Sequence, residues 1–281
     1  MIFYNMAVCE IKPGIFVETE LVGCNPGVVF TSRGAVLIDS PLPYERAIKW
    51  RKEIEERAEL LFLINTEHHI DHTVGNFIFR DISIIAHSLT RKALEEERVE
   101  RIREALREIY TEPITLPEDF SIILPSITFE GRITLHFEGL TFEILHLPGH
   151  TPGQTCVYIP EEKIIFTGDN IFSGVQTFLH QSLPFDWLRS LEKMKEMDIE
   201  LIVPGHGDIC TKSYIDEQAS FIREWIEAVE EAIRKGWSLE EAQERISFLD
   251  RYPMDRGLEK AGERVKRMNV ERLYKVLKGE V

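Results

Sequence analysis

The sequence predicts an α/β protein, and three observations carry that expectation. Short β-branched runs alternate with helical stretches between Gly14 and Lys212. The apolar run Leu61–Asn65 has strand length and leads directly into a polar cluster, Thr66–His72. Three further apolar runs end in His or Asp residues flanked by glycine or proline. Delivery of reactive side chains from strand ends is a common way of building an α/β site.

Taken in order, Gly14–Thr19, Gly27–Thr31 and Gly34–Asp39 read as strands separated by Gly-bearing turns. Pro43–Leu60 turns helical, with Ala47, Trp50, Ile54 and Ala58 on one face. After the Thr66–His72 cluster, Ile82–Ala86 is a strand, Thr90–Tyr110 one long charged helix, and Thr111–Ser126 a proline-bearing surface loop. Ile127–Phe129, Ile133–Phe137 and Phe142–Leu147 are strand candidates. Val157–Ile159 and Ile164–Thr167 flank the turn Pro160–Lys163 as a hairpin. Leu183–Met197 is helical and Ile199–Val203 is the last strand. From residue 213 the character is helical: 213–235, 238–249 with Ser238 and Glu241 as a capping box, and Val270–Lys278. The expected organisation is a catalytic domain over 1–212 and a helical extension over 213–281 packed on it.

Composition narrows the function. The chain has 281 residues, 43% hydrophobic and 29% charged, as soluble globular proteins do. A net charge of −15 argues against a nucleic-acid partner, which requires a basic face. No apolar run reaches the ~20 residues of a membrane span, and Met1–Asn5 does not resemble a secretory signal. The expectation is therefore a cytoplasmic protein acting on a small molecule. Abundant Glu, Lys and Arg against sparse Asn and Gln point to a thermophilic source. Cys9, Cys24, Cys156 and Cys210 form no Cys-x-x-Cys pair and read as buried free thiols.

The chemistry concentrates in Thr66-Glu-His-His-Ile-Asp-His72. If the segment is extended, Glu67, His69 and Asp71 point one way and His68 and Ile70 the other, with His72 joining where the chain turns helical. The other ligand types come later: His150 in Pro-Gly-His-Thr-Pro-Gly, Asp169 in Thr-Gly-Asp, and His206 in Pro-Gly-His-Gly. Glycines at these points let backbones approach closely. His87, His136 and His146 read as structural histidines. His180, with Phe172, Phe178 and Trp187, either lines a substrate pocket or packs a loop.

With Leu37-Ile-Asp39 ahead of them, these ordered motifs resemble the metallo-β-lactamase-fold hydrolases, in the glyoxalase-II-like branch, over roughly residues 14–212. The resemblance implies a four-layer αββα sandwich with the site at one rim. It further implies two divalent ions, Glu67, His69 and His150 holding the first, Asp71, His72 and His206 the second, and Asp169 bridging. Asp39 would support the ligand loop from behind or serve simply as a turn former.

Glu67 replaces the first His of the family's His-x-His-x-Asp-His motif. A harder oxygen donor shifts preference from zinc, the first expectation, towards iron or manganese. The alternative is that Glu67 does not bind and one site stays weak. The expected activity is hydrolysis of an ester, thioester, lactone or phosphoester by a hydroxide bridging the two ions, with Asp71 and Asp169 as catalytic carboxylates. Two other classes stay open: a di-iron oxygen-handling or persulfide-dioxygenase-like redox protein, and a metal-binding sensor without turnover. The helical C-terminus would cover the site, pack on the core or form a homodimer through Tyr214, Trp225 and Tyr274.

Overall fold

The computed structural model describes residues 8–281, so the reading of Met1–Asn5 lies outside it. Along the first sheet run β1 (Val8–Lys12), β2 (Ile15–Glu18), β3 (Gly27–Thr31) and β4 (Gly34–Ile38), all antiparallel neighbours. Helix α1 (Tyr44–Glu55) then crosses to β5 (Leu60–Ile64), which is parallel to β4. A short helix α2 (Ile70–Thr73) with a 3-10 turn (Val74–Phe79) leads to β6 (Ser83–His87). Helices α3 (Ser88–Glu96) and α4 (Val99–Glu108) precede β7 (Ile127–Phe129), again parallel.

The second sheet holds β8 (Arg132–Phe137), β9 (Leu140–His146), β10 (Thr155–Ile159), β11 (Ile164–Ser173), β12 (Leu201–Gly207) and β13 (Cys210–Thr211). Its spatial order is β13-β12-β11-β10-β9-β8, antiparallel except for the β11–β12 pair. Helix α5 (Pro184–Glu196) makes the crossover between β11 and β12. Helices α6 (Tyr214–Arg234), α7 (Leu239–Arg245) and α8 (Gly262–Leu277) complete the chain.

Strand alternation stacks these parts into four layers. Ile15, Val17, Val36, Ile38 and Ile64 of the first sheet meet Ile144, Val157, Ile159, Phe166 and Val203 of the second in one core between the sheets. The intervening residues face outward: Phe16, Ala35, Leu37 and Leu63 pack on Trp50 and Ile54 of α1. On the other side, Cys156, Tyr158 and Ile165 pack beneath Trp187, Leu191 and Met194 of α5 and Ile222 and Trp225 of α6. The result is the αββα sandwich. Trp225 is 1% exposed, so its truncation to alanine would cost about 3–5 kcal/mol. Helix α6 is therefore part of the outer layer, and Ser238 and Glu241 form the capping box that opens α7.

Several local expectations need correction. The long helix breaks at Glu97 and Arg98, both extended, which lets Ile102 and Leu106 reach a cluster with Leu42, Phe77 and Leu258. Tertiary burial overrides helix propensity there. Helix α8 starts at Gly262, well before Val270, because Val265 is also buried against the body. Helix α7 ends at Arg245, and β12 is followed by β13. Cys9 is exposed and Cys210 half-buried; only Cys24 and Cys156 are buried thiols. No helix among the described residues is long and apolar enough to cross a membrane.

Candidate metal centre

Asp39, immediately after β4, adopts φ 55, a left-handed conformation that Asp tolerates better than most residues. From there its carboxylate grips the loop that follows β5. Oδ1 accepts from the Thr66 backbone N–H at 2.8 Å and Oδ2 from Thr66 Oγ1 at 2.7 Å. His72 Nδ1 donates to the same Oδ2 at 2.9 Å. The Ser40 hydroxyl donates to the His72 carbonyl, and Asn65 and Asn76 pair behind it.

Held this way, Thr66–His69 is a bend outside the sheet ladder, and Ile70 begins α2. The alternation expected of an extended segment therefore fails. His68 and Ile70 do not turn away from His69 and Asp71; all four line one cavity.

The remaining donors arrive from the second sheet. His150 sits in the β9–β10 connection, Asp169 within β11 and His206 within β12. Beyond Phe166 the β11–β12 register shifts, so the pairing of the two strands is irregular around these side chains. Gly205 permits a close approach: a Cβ there would collide with Asp169 Oδ1.

Three imidazoles are fixed by the acceptors behind them. His72 Nδ1 faces Asp39, His150 Nδ1 donates to the Phe178 carbonyl at 2.8 Å, and His206 Nδ1 donates to Asp255 Oδ2 at 2.7 Å. A carbonyl can only accept, so His150 carries its proton on Nδ1 and presents an Nε2 lone pair inward. The inner nitrogens converge on Asp169: His72 Nε2 is 3.1 Å and His206 Nε2 3.5 Å from Oδ1, and His150 Nε2 is 3.4 Å from Oδ2. His69 turns Nδ1 inward, 2.9 Å from the Glu67 carboxylate and 3.1 Å from His150 Nε2. Asp71 Oδ2 lies 3.1 Å from His206 Nε2.

Two groups of ligand-type atoms thus form, Glu67–His69–His150–Asp169 and Asp71–His72–His206, each with its atoms within 4.8 Å of one another. A third grouping, Cys24–Asp39–His72, involves a thiol that burial pushes up to about 12, so Cys24 stays protonated beside the Ser40 carbonyl.

The donor set fits divalent cations. Glu67, Asp71 and Asp169 are buried together, and such carboxylates require a compensating positive charge. Burial alone would raise the Asp71 carboxyl, but His72 and His206 outweigh it and hold it at about 2. Burial disfavours charge on His72 and His206, yet Asp169 and its neighbouring carboxylates push both well above the usual histidine range. Protons on these rings occupy the places where a cation would compensate the same carboxylates. Glu67 Oε2 and His69 Nε2 are buried without a hydrogen-bond partner among the described residues. Nitrogen and oxygen donors of this kind suit zinc, iron or manganese.

The centre opens into a cavity of about 190 Å³. Phe172, Phe178 and His180 line it, and His180 stacks on His69 with ring centroids 4.9 Å apart. Trp187 does not line it. Its ring is fully buried behind His150, 5.5 Å away, and Nε1 donates to the Asn170 carbonyl. The aromatic residues that follow Asp169 in the sequence thus divide between a cavity wall and its backing, because α5 turns Trp187 into the core.

Two residues at the site carry no motif in the sequence. Asp255 arrives from the segment between α7 and α8, and Tyr110 from just after α4. The Tyr110 side chain lines the cavity. Burial and the Asp71 charge push its hydroxyl well above the usual tyrosine range, so it remains a donor. The structural histidines expected elsewhere include a stacked pair, His87 and His146, with ring centroids 3.7 Å apart.

Comparison with known proteins follows the same lines. A family model described as the metallo-beta-lactamase superfamily matches residues 19–206. Hydroxyacylglutathione hydrolases of Brucella ovis and Brucella abortus are 28% identical over 188 residues, covering 66% of this chain and 59% of each relative. The chain thus spans less than two thirds of the length of these curated relatives. Among solved structures, a metallo-beta-lactamase from Pontibacter korlensis matches with TM-score 0.62 at 19% identity, over 77% of this chain and 98% of that one. A stereoselective inverting sec-alkylsulfatase from Pseudomonas sp. matches with TM-score 0.72 at 15% identity, over 98% of this chain and 50% of that one. At these identities the structural matches speak for the fold alone. With the family model extending from the β2–β3 turn through His206, the chain belongs to the metallo-beta-lactamase superfamily.

Proposed function

We propose that the protein is a divalent-metal-dependent hydrolase of an ester-type bond, with a dinuclear centre. The observation that carries the proposal is the division of Asp169: Oδ1 faces His72 and His206, while Oδ2 faces His150. In this reading Glu67, His69 and His150 hold one ion, Asp71, His72 and His206 hold the other, and Asp169 serves both. The Brucella relatives are hydroxyacylglutathione hydrolases, which supports the reaction class.

Ions bound there supply Lewis acidity towards a carbonyl or phosphoryl oxygen and a water activated near neutral pH. The protein's own groups do the rest. Asp71, ionised at all but strongly acidic pH, accepts a hydrogen bond from the attacking water and orients it. Tyr110, protonated and lining the cavity, donates to the oxygen that gains charge during the reaction. Phe172, Phe178 and Leu258 keep bulk water away from the centre. The acceptors Asp39, Phe178 O and Asp255 hold the three rings at fixed angles.

Glu67 supports one second reading, a di-iron redox protein, because its oxygen replaces an imidazole nitrogen. Metal analysis of the purified protein, joined to an assay with model esters and thioesters, tests both. Zinc in two equivalents with chelator-sensitive hydrolysis supports the proposal. An iron-loaded, coloured protein that consumes oxygen and hydrolyses none of the panel overturns it.

A further inference from the structure

Resting on the hydrolase reading, we infer that the cavity selects an uncharged substrate with a short aliphatic or single-ring acyl group, and rejects anionic esters. Glutathione thioesters, phosphoesters and sulfate esters belong to the rejected class.

Charge is the first reason. Among the described residues, no lysine or arginine lines the cavity. The charged side chain at its edge beyond the metal groups is Glu97, placed there by the break between α3 and α4. Its Oε1 accepts from the Arg98 backbone N–H at 2.8 Å, which fixes the carboxylate near the junction. His68 is engaged with the uncharged Gln181 at 2.8 Å. Around the centre itself stand Asp39, Glu67, Asp71, Asp169 and Asp255. Two divalent ions do not outweigh five carboxylates, so no surplus positive field extends into the cavity to attract an anion. An anionic group brought in would lose its hydration and meet carboxylates of its own sign.

Shape and wall chemistry are the second reason. Ile70, Ile109, Phe172, Phe178 and Leu258 give the cavity apolar walls, and its volume is about 190 Å³. An apolar cavity of about 150 Å³ holds one benzene ring. Part of that volume, beside His69, Asp71, His150, Asp169 and His206, is where the ions would sit, so the remainder suits an acyl group no larger than a single ring, and the Tyr110 hydroxyl offers an uncharged donor to its carbonyl oxygen.

The decisive test is binding to the metal-replete protein. Calorimetry compares S-butyl-N-acetylcysteamine with S-butylglutathione, two non-hydrolysable thioethers that share the butyl group. The neutral thioether is expected to bind at least about tenfold tighter. Glu97→Lys is expected to tighten S-butylglutathione about fivefold and to narrow that gap. Equal or tighter binding of S-butylglutathione by the unaltered protein overturns the inference, as does failure of both thioethers to bind. Turnover of the matching butyryl thioesters separates this inference from the reading beneath it. If neither thioester is hydrolysed while the neutral thioether still binds more tightly, the hydrolase reading falls and the selectivity stands. If both are hydrolysed and the glutathione ligand binds as well as the neutral one, the selectivity falls and the hydrolase stands.

Discussion

His206 donates its Nδ1 proton to Asp255 across 2.7 Å, although 49 positions separate the two residues. The contact links a strand of the second sheet to the segment between α7 and α8, so the C-terminal helical part reaches the back of the metal groups. Leu258, three residues further on, lines the cavity itself. The helical part therefore contributes to the site and does not merely pack beside it.

Replacing Asp255 removes the acceptor that orients His206. Asp255→Leu is expected to weaken metal affinity about 10–100-fold, the usual consequence of losing the partner behind a ligand histidine. Competition against a coloured chelator measures it, and circular dichroism checks the fold. Retained affinity in a folded variant would show that His206 holds its orientation without help.

Glu67→Gln keeps the shape of the side chain and removes its charge. The substitution is expected to lower bound metal from two equivalents towards one, with the loss at the group containing His69 and His150. Elemental analysis after dialysis against a weak chelator gives the number. Two firmly held equivalents in the variant would remove Glu67 from the ligand set. Glu67→His should restore two equivalents and shift the preference towards zinc.

How far the sequence reached is clearest along the Thr66–His72 loop. The residue types at positions 67, 69, 71, 72, 150, 169 and 206 mark a single locus before any geometry is known, and the structure gathers all seven. Their orientations were not legible. Period-two alternation presumes a ladder, and this loop is held by Asp39 through Thr66 and His72 instead. Asp255 and Tyr110 were invisible because neither sits in a glycine-flanked turn after an apolar strand. Each reaches the site by tertiary packing, Tyr110 through the α3–α4 break and Asp255 through the crossing from α7 to α8. The Glu97–Arg98 break itself has no glycine or proline to announce it.

Tyr110→Phe tests the donor role with little change in volume. The variant is expected to lose about 10–100-fold in kcat on a neutral ester, with KM and metal content nearly unchanged, because the donor acts where charge develops. Steady-state kinetics with parallel metal analysis provides the readout. A change confined to KM would make Tyr110 a binding wall, and a change in metal content would place its effect on the centre.

Away from the metal groups, His87 sets a pH dependence of stability. Its Nδ1 accepts from the Leu89 backbone N–H at 3.2 Å, capping α3, while Nε2–H donates to the Glu130 carbonyl at 2.7 Å. The Leu89 bond requires the neutral ring, since a proton on Nδ1 would face another donor, whereas the Glu130 bond is kept on protonation. Burial and the stacked His146 lower its pKa from the ordinary histidine value. Between the folded value and the unfolded value near 6.5, the unfolded chain binds more protons than the folded one. Stability from this residue is therefore complete above about pH 7 and falls as the pH drops below the unfolded value. The slope has a limit of about 1.4 kcal/mol per pH unit. Urea unfolding between pH 7.5 and 5.5, in chelator so that the metal-site histidines titrate alike in both proteins, compares the wild type with His87→Asn. The asparagine can still cap α3 but does not titrate. Its stability should start lower at pH 7.5, for want of the stacking and the Glu130 bond, and then decline less steeply. Parallel declines in the two proteins would show that another group carries the acid sensitivity.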